Sequence, residues 1–131
     1  MTRGTVRREV RMTASAEAIW SYIGDARRLT EWWPGITAAE VDGDTRVITT
    51  GSGIPMPEQI LTIDRLQRRF QYRITAPVFH EHLSTIDVID LDDGTCLVVY
   101  SIDADPATMA LVIGGAAGNA LEHLKTLVEA R

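Results

Sequence analysis

Glu58, Tyr72 and His82 are the residues of this chain best suited to moving a proton, and each stands in a stretch that alternates with apolar side chains. Glu58 shares a strand face with Ile60. A carboxyl held among apolar groups ionises less readily, so a buried Glu58 has a raised pKa and can act as a general acid or base. The alternative is a carboxylate paired with Arg8 or another arginine, which also perturbs a pKa. His80 and His82 lie two apart, so one face of a strand holds both. Together they could form an acid–base pair. They could also chelate a metal, but the sequence offers no firm third ligand and no metal is expected. The plainer arrangement leaves His80 outside, near the strand end, with only His82 looking in. Tyr72 and Tyr100 could hydrogen-bond a ligand oxygen, or could be core aromatics with satisfied hydroxyls. Nucleophile-elbow, phosphate-loop and paired-cysteine motifs are absent, and no cofactor is expected.

The elements that must position these groups are legible from periodicity. Pro106 to Ala130 reads as one helix of roughly 37 Å, with Asp105 as N-cap and Pro106 at the first helical position. Met109, Ile113, Ala116, Ala117, Ala120, Leu121, Leu124, Leu127 and Val128 make its apolar stripe, with His123 packing at the edge. Its middle, Gly114 to Gly118, is a run of small residues that either lets a backbone come close or leaves space. Thr5 to Thr13 alternates as a half-buried strand, in which Arg8 breaks the apolar face and belongs at a rim or beside an acid. Ser15 caps a helix over Ala16 to Ile23, ended by Gly24, and Asp25 caps a second short one towards Trp33. Then come strands at Ile36 to Val41, Arg46 to Thr50, Glu58 to Asp64, Phe70 to Ala76, Val78 to Leu91 and Thr95 to Ala104. Short turns join them with no helix between, which demands an antiparallel sheet and an α+β fold. Gly51 to Pro57 is a loop that could gate a cavity.

At 131 residues the chain is read as a single domain, 1–131. A net charge of −5 argues against a nucleic-acid surface. Cys96, alone, stands in an apolar run as a buried thiol. No apolar run approaches membrane-spanning length and no signal core opens the chain, so the expected location is cytoplasmic. Leu97 and Val99 on the outer sheet face would allow a homodimer.

The element order, with particular residues, resembles the START/Bet v 1-like helix-grip superfamily, and more narrowly its polyketide cyclase/dehydrase and lipid-transport branch (SRPBCC). The matching pieces are Ala14 to Trp20, Trp32-Trp33-Pro34-Gly35, Glu58 with Asp64, Phe70 to Ile74, His82 to Val88, Asp93-Gly94-Thr95, and Tyr100 leading to Asp105-Pro106. The resemblance implies a curved sheet of about seven strands gripping the long helix, with a cavity for an apolar or aromatic ligand between them. It also implies a lining: Trp33, Glu58, Tyr72, His80, His82 and Tyr100, with Met109, Ile113 and Ala117 from the helix. The position matching His82 is commonly aromatic in the superfamily, so a histidine there adds polarity.

Three functions are compatible with this reading. The first is binding of a hydrophobic small molecule such as a polyketide, lipid or isoprenoid, favoured if the Gly114–Gly118 run leaves room over the sheet. The second is an aromatase/cyclase or dehydratase in which Glu58, His82 or Tyr72 moves protons. The third is a regulatory interaction module with a vestigial cavity. Fold alone does not choose among them.

Overall fold

In a computed structural model that describes residues 2–130, each element arises where local chemistry asks for it. Strand β1 (Gly4–Met12) leads to helix α1 (Ala16–Ile23). The Ser15 side chain accepts a hydrogen bond from Ala18 N at 3.1 Å and starts that helix. Gly24 ends it beneath the Trp20 indole, which a Cβ at that position would strike. Asp25 caps a 3-10 turn (Ala26–Arg28) through Arg27 N, and α2 (Leu29–Trp32) follows. Gly35, at φ 86°, turns the chain into the sheet.

The remaining strands are β2 (Ile36–Asp42), β3 (Thr45–Thr50), β4 (Pro55–Asp64), β5 (Arg69–Ile74), β6 (Glu81–Asp90) and β7 (Cys96–Asp105). They form one antiparallel sheet in the order β1-β7-β6-β5-β4-β3-β2. The first strand therefore closes against the last, Gly4 opposite Ala104 through Met12 opposite Cys96. Helix α3 (Ala107–Glu129) lies on the inner face against β1 and β7. This is the expected α+β helix-grip architecture, with seven strands, a long C-terminal helix and two short helices after β1.

Several boundaries differ from the expectation, each for a local reason. β4 begins at Pro55, because Pro55, Met56 and Pro57 already pair with β3, so the loop shrinks to residues 51–54. β6 begins at Glu81, not Val78. The chain turns after Ala76, where Phe79 N bonds back to Ala76 O, and Phe79 rather than His80 enters the core. Asp105 still pairs with Glu81 inside the sheet, so it does not cap α3; Pro106 occupies the N-cap with no side-chain bond.

The glycine run on α3 is occupied rather than empty. A Cβ at Gly114 would come within 2.6 Å of Val6 Cγ1, and one at Gly118 would collide with the Arg8 guanidinium. Small residues here let β1 side chains lie directly on the helix backbone. Arg8, expected at a rim or beside an acid, is exposed, and its guanidinium lies over Gly118. Gly115 has nothing within 4 Å of a modest side chain and faces out. His123 is exposed rather than packed.

Antiparallel pairing gathers the ends of β3, β5 and β7, the starts of β2, β4 and β6, and the first turns of α3 at one end of the sheet. The exposed apolar side chains Ile54, Val78, Leu111 and Val112 stand around that end. No helix among the described residues is long and apolar enough to cross a membrane.

Candidate functional site

The β3–β4 register sets Arg46 opposite Glu58, and both point inward. Each is only 3% exposed. Arg46 Nε donates to Glu58 Oε1 at 2.6 Å, and Arg46 Nη1 donates to the Ala26 carbonyl at 3.2 Å. The guanidinium lies 5.3 Å from both the Phe70 and Tyr72 ring centroids. Burial pushes the Glu58 carboxyl above the ordinary carboxylate range, with the Arg46 charge and hydrogen bond opposing it. Among the described residues Arg46 is the one hydrogen-bond donor to Glu58, and Oε2 accepts none. Among the described residues Arg68 Nε is the one fully enclosed side-chain polar atom without a partner.

Tyr72 on β5 and Tyr100 on β7 reach across β6 and share a hydrogen bond between their hydroxyls. They are 3% and 1% exposed. Burial, followed by the Glu58 charge, pushes the Tyr72 phenol up to about 12. Tyr100 is also raised well above the ordinary phenol range, by burial and then by Tyr72. Trp33 closes over Tyr100 edge-on, with ring centroids 5.8 Å apart.

His82 takes the place of a rung in the sheet. The β5–β6 ladder stops at Tyr72 opposite Ser84, and beyond it Ile74 N donates to His82 Nδ1 at 2.8 Å. A backbone N–H can only donate, so Nδ1 is unprotonated and the neutral ring carries its hydrogen on Nε2. That nitrogen lies 2.8 Å from Ser84 Oγ and must donate to it. Burial drives the His82 pKa down to about 4, against a weaker upward pull from Asp103. Ser84, fully buried, also acts on the Tyr72 phenol and lowers its pKa. A hydrogen-bonded polar chain therefore runs from the Ile74 amide through His82 to Ser84.

The structure brings Glu58, Tyr72, Tyr100, His82 and Trp33 into one neighbourhood. His80 is not part of it: its side chain is 77% exposed and lies 3.6 Å from Asp105. Met109 and Ile113 are half-buried against the core, while Ala117 is wholly buried under α3. Among the described residues, two of the surface clefts are lined without α3. One of about 860 Å3 lies between α1 and the far end of β4, lined by Trp20, Ile60, Ile63 and Arg65 among others. The other, about 420 Å3, lies where β5 and β6 part, and is lined by Ile74, Phe79, His80 and His82 among others. Sequence reasoning did not single out Arg46 or Ser84. Ser84 shares the inward face of His82 and Ile86, which was a usable signal. For Arg46 the signal was its place one rung from the β2–β3 turn, on the side of Ile48.

The sequence profile described as polyketide cyclase / dehydrase and lipid transport matches residues 3–129. The chain belongs to that family. The family's START-like fold is shared with solved structures across the whole chain. XoxI from Bacillus cereus is 25% identical, over 97% of this chain and 95% of its own, with a TM-score of 0.85. A START superfamily protein from Mycobacterium smegmatis is 19% identical over 97% and 95%, with a TM-score of 0.73. Norcoclaurine synthase from Thalictrum flavum, solved with dopamine and hydroxybenzaldehyde, is 18% identical over 98% and 88%, with a TM-score of 0.77. No curated protein matches the chain.

Proposed function

We propose that this domain binds a small apolar or aromatic molecule against the Glu58, Tyr72 and Tyr100 cluster, reached from the end of the sheet where Trp33, Met109 and Ile113 are half-buried. The observation that carries this reading is the concentration of buried hydrogen-bonding groups inside an apolar core. Arg46, Glu58, His82 and Ser84 are the buried polar side chains of the described residues, and they gather around one tyrosine pair. Burying a charged pair with His82, Ser84 and two tyrosine hydroxyls adds little to stability over an apolar core of equal volume. A ligand gives them a purpose, and membership of the family supports one.

A second reading, an aromatase/cyclase or dehydratase, is favoured by Glu58. Burial raises its carboxyl above the ordinary carboxylate range, the direction a general acid or base calls for. His82 is poorly placed as the base, since its Nδ1 is occupied by the Ile74 amide. In this reading His82 orients and Glu58 transfers.

Native mass spectrometry of protein from its own host tests the binding reading, followed by denaturing extraction. A co-purified small molecule at near-unit stoichiometry is expected. A clean apo mass, with no thermal shift across a panel of lipids and polyketides, would overturn it in favour of an interaction module.

A further inference from the structure

We infer that His82 is an acid-sensitive latch on the seam between β5 and β6: on taking up a proton its ring releases the Ile74 amide, and the seam parts locally while the rest of the sheet stays paired. The inference is independent of what the domain binds. Its basis is how little crosses the seam. β5 and β6 pair over four rungs, from Arg69 opposite Asp87 to Tyr72 opposite Ser84, whereas β6 and β7 pair over ten. Past Ser84, among the described residues, the hydrogen bond that crosses is the one from Ile74 N to His82 Nδ1, at 2.8 Å. Each lip of the seam is anchored to a different neighbour. On one side Ile74 stands opposite Glu58, and Thr75 N donates to Pro57 O at 3.0 Å. On the other, Glu81 and His82 stand opposite Asp105 and Ala104, and His80 N donates to Asp105 O at 2.8 Å. Breaking the one crossing bond leaves both anchors intact. The cleft of about 420 Å3 already lies between the lips, with Ile74 and His82 in its lining.

The latch works only with a neutral ring. Nδ1 accepts from Ile74 N while it is unprotonated; a proton there sets N–H against N–H. Flipping the ring gives no relief, since both nitrogens of an imidazolium carry hydrogen. The contact with Ser84 survives, because Nε2 can donate to Ser84 Oγ in both states. The surrounding charges do not compensate. Asp103 on β7 favours the imidazolium, but it lies 3.9 Å from Arg3, which also holds Glu81 at 2.9 Å. Arg73 on β5 lines the same cleft, with its guanidinium on Gln59. Glu58, opposite Ile74 on β4, is held by Arg46. The His80 ring is exposed beside Asp105, and Tyr72, with its ring centroid 5.5 Å from that of His82, is a neutral phenol. Burial therefore prevails and holds His82 at about 4 while the seam is closed. Once the seam parts, water restores the ordinary 6.5. Opening is thus coupled to proton uptake: the open fraction rises as pH falls below about 6.5 and levels off near about 4.

The test is residue-resolved amide hydrogen exchange of the intact protein at about pH 7.5 and about pH 5. From the two His82 values, the equilibrium constant for opening should be about thirtyfold larger at the lower pH, and Ile74 N should lose protection by that factor. It should also be less protected than the β7 amides that pair with β1, and its exchange should hardly respond to dilute urea, because a local opening exposes little surface. His82→Gln, whose side chain can accept from Ile74 N but does not titrate, should keep the protection and lose its pH dependence. His80→Gln should behave as the wild type. Nitrogen chemical shifts of the His82 ring near neutrality should place the hydrogen on Nε2. A hydrogen on Nδ1 would overturn the latch at its base. So would Ile74 exchanging with the same protection and urea dependence as the β7 amides, since the seam would then open only in global unfolding. A pH effect that persists in His82→Gln, or vanishes in His80→Gln, would assign the proton to another group and overturn it as well. The ring shifts and the exchange of the wild type decide the matter even if His82→Gln fails to fold.

Discussion

The inner face of the sheet has two halves that solve burial differently. On the β1–β7 side, α3 lies directly on the strands, and fit is achieved by volume: Val6 and Arg8 lie over Gly114 and Gly118, and Val98, Ile102 and Ala104 are wholly buried. On the β3–β6 side the buried face includes Arg46, Glu58, Tyr72, His82 and Ser84, and fit is achieved by matching donors to acceptors. A volume-matched interface tolerates no added atom but is indifferent to pH. A network of matched polar groups is sensitive to the loss of one partner and to protonation. The difference is one of kind: one half is matched by volume, the other by hydrogen bonds and charge.

The largest test of this contrast removes one member of the buried pair. Arg46→Met should destabilise the domain by about 3–5 kcal/mol, because it leaves Glu58 buried without a counter-charge. Combining it with Glu58→Leu should recover most of that loss, since a well-packed apolar replacement of both partners is close to neutral. Urea unfolding of the two single variants and the double variant measures this. A single variant costing under about 1 kcal/mol would mean that the pair is solvated, and the two halves would no longer differ in kind.

A smaller effect separates the halves by pH. His82 is held at about 4 in the folded protein, against an ordinary 6.5. Between those values the unfolded chain binds a proton that the folded chain refuses, so stability falls as pH drops from about 6.5 to 4. At 1.36 kcal/mol per unit the loss approaches about 3 kcal/mol. His82→Gln, which can still accept from the Ile74 amide, should flatten the curve in this window. An unchanged curve would assign the acid sensitivity elsewhere. Near-neutral stability should not gain from His82 protonation, because the imidazolium would lose its acceptor for Ile74 N.

How far the sequence reveals each half follows from the same contrast. Alternation placed Glu58, Tyr72, His82 and Tyr100 on inward faces, because a strand in regular pairing keeps a period of two. It failed for His80, because Pro77 and the turn after Ala76 reset the phase before β6 begins. Arg46 was hidden for another reason. An arginine next to a turn reads as solvated, and only the β3–β4 register, across a loop of uncertain length, brings it to Glu58. The helix-grip fold was legible as a whole because it follows from element order. The glycine run was not, since its meaning depends on what a strand more than a hundred residues away lays against it.

That run offers the finest discrimination, between adjacent glycines. Gly114→Ala would push a Cβ into the branched Val6 side chain close to its own backbone, where there is no flexible end to move aside. The expected cost is about 1–3 kcal/mol, typical of overpacking, and it exceeds the helix-propensity gain. Gly115→Ala meets nothing within 4 Å, so only propensity operates, and the variant should be more stable by about 0.5–1 kcal/mol. Thermal or urea unfolding of the pair gives opposite signs from neighbouring positions. If both alanines stabilise, β1 can move off the helix easily, and the β1–β7 half is not the close-fitted surface described. If both destabilise, something covers the outer face of α3 at Gly115 in solution. Opposite signs would show that small residues on α3 are required only where they face β1, which makes them a packing device rather than the floor of a cavity.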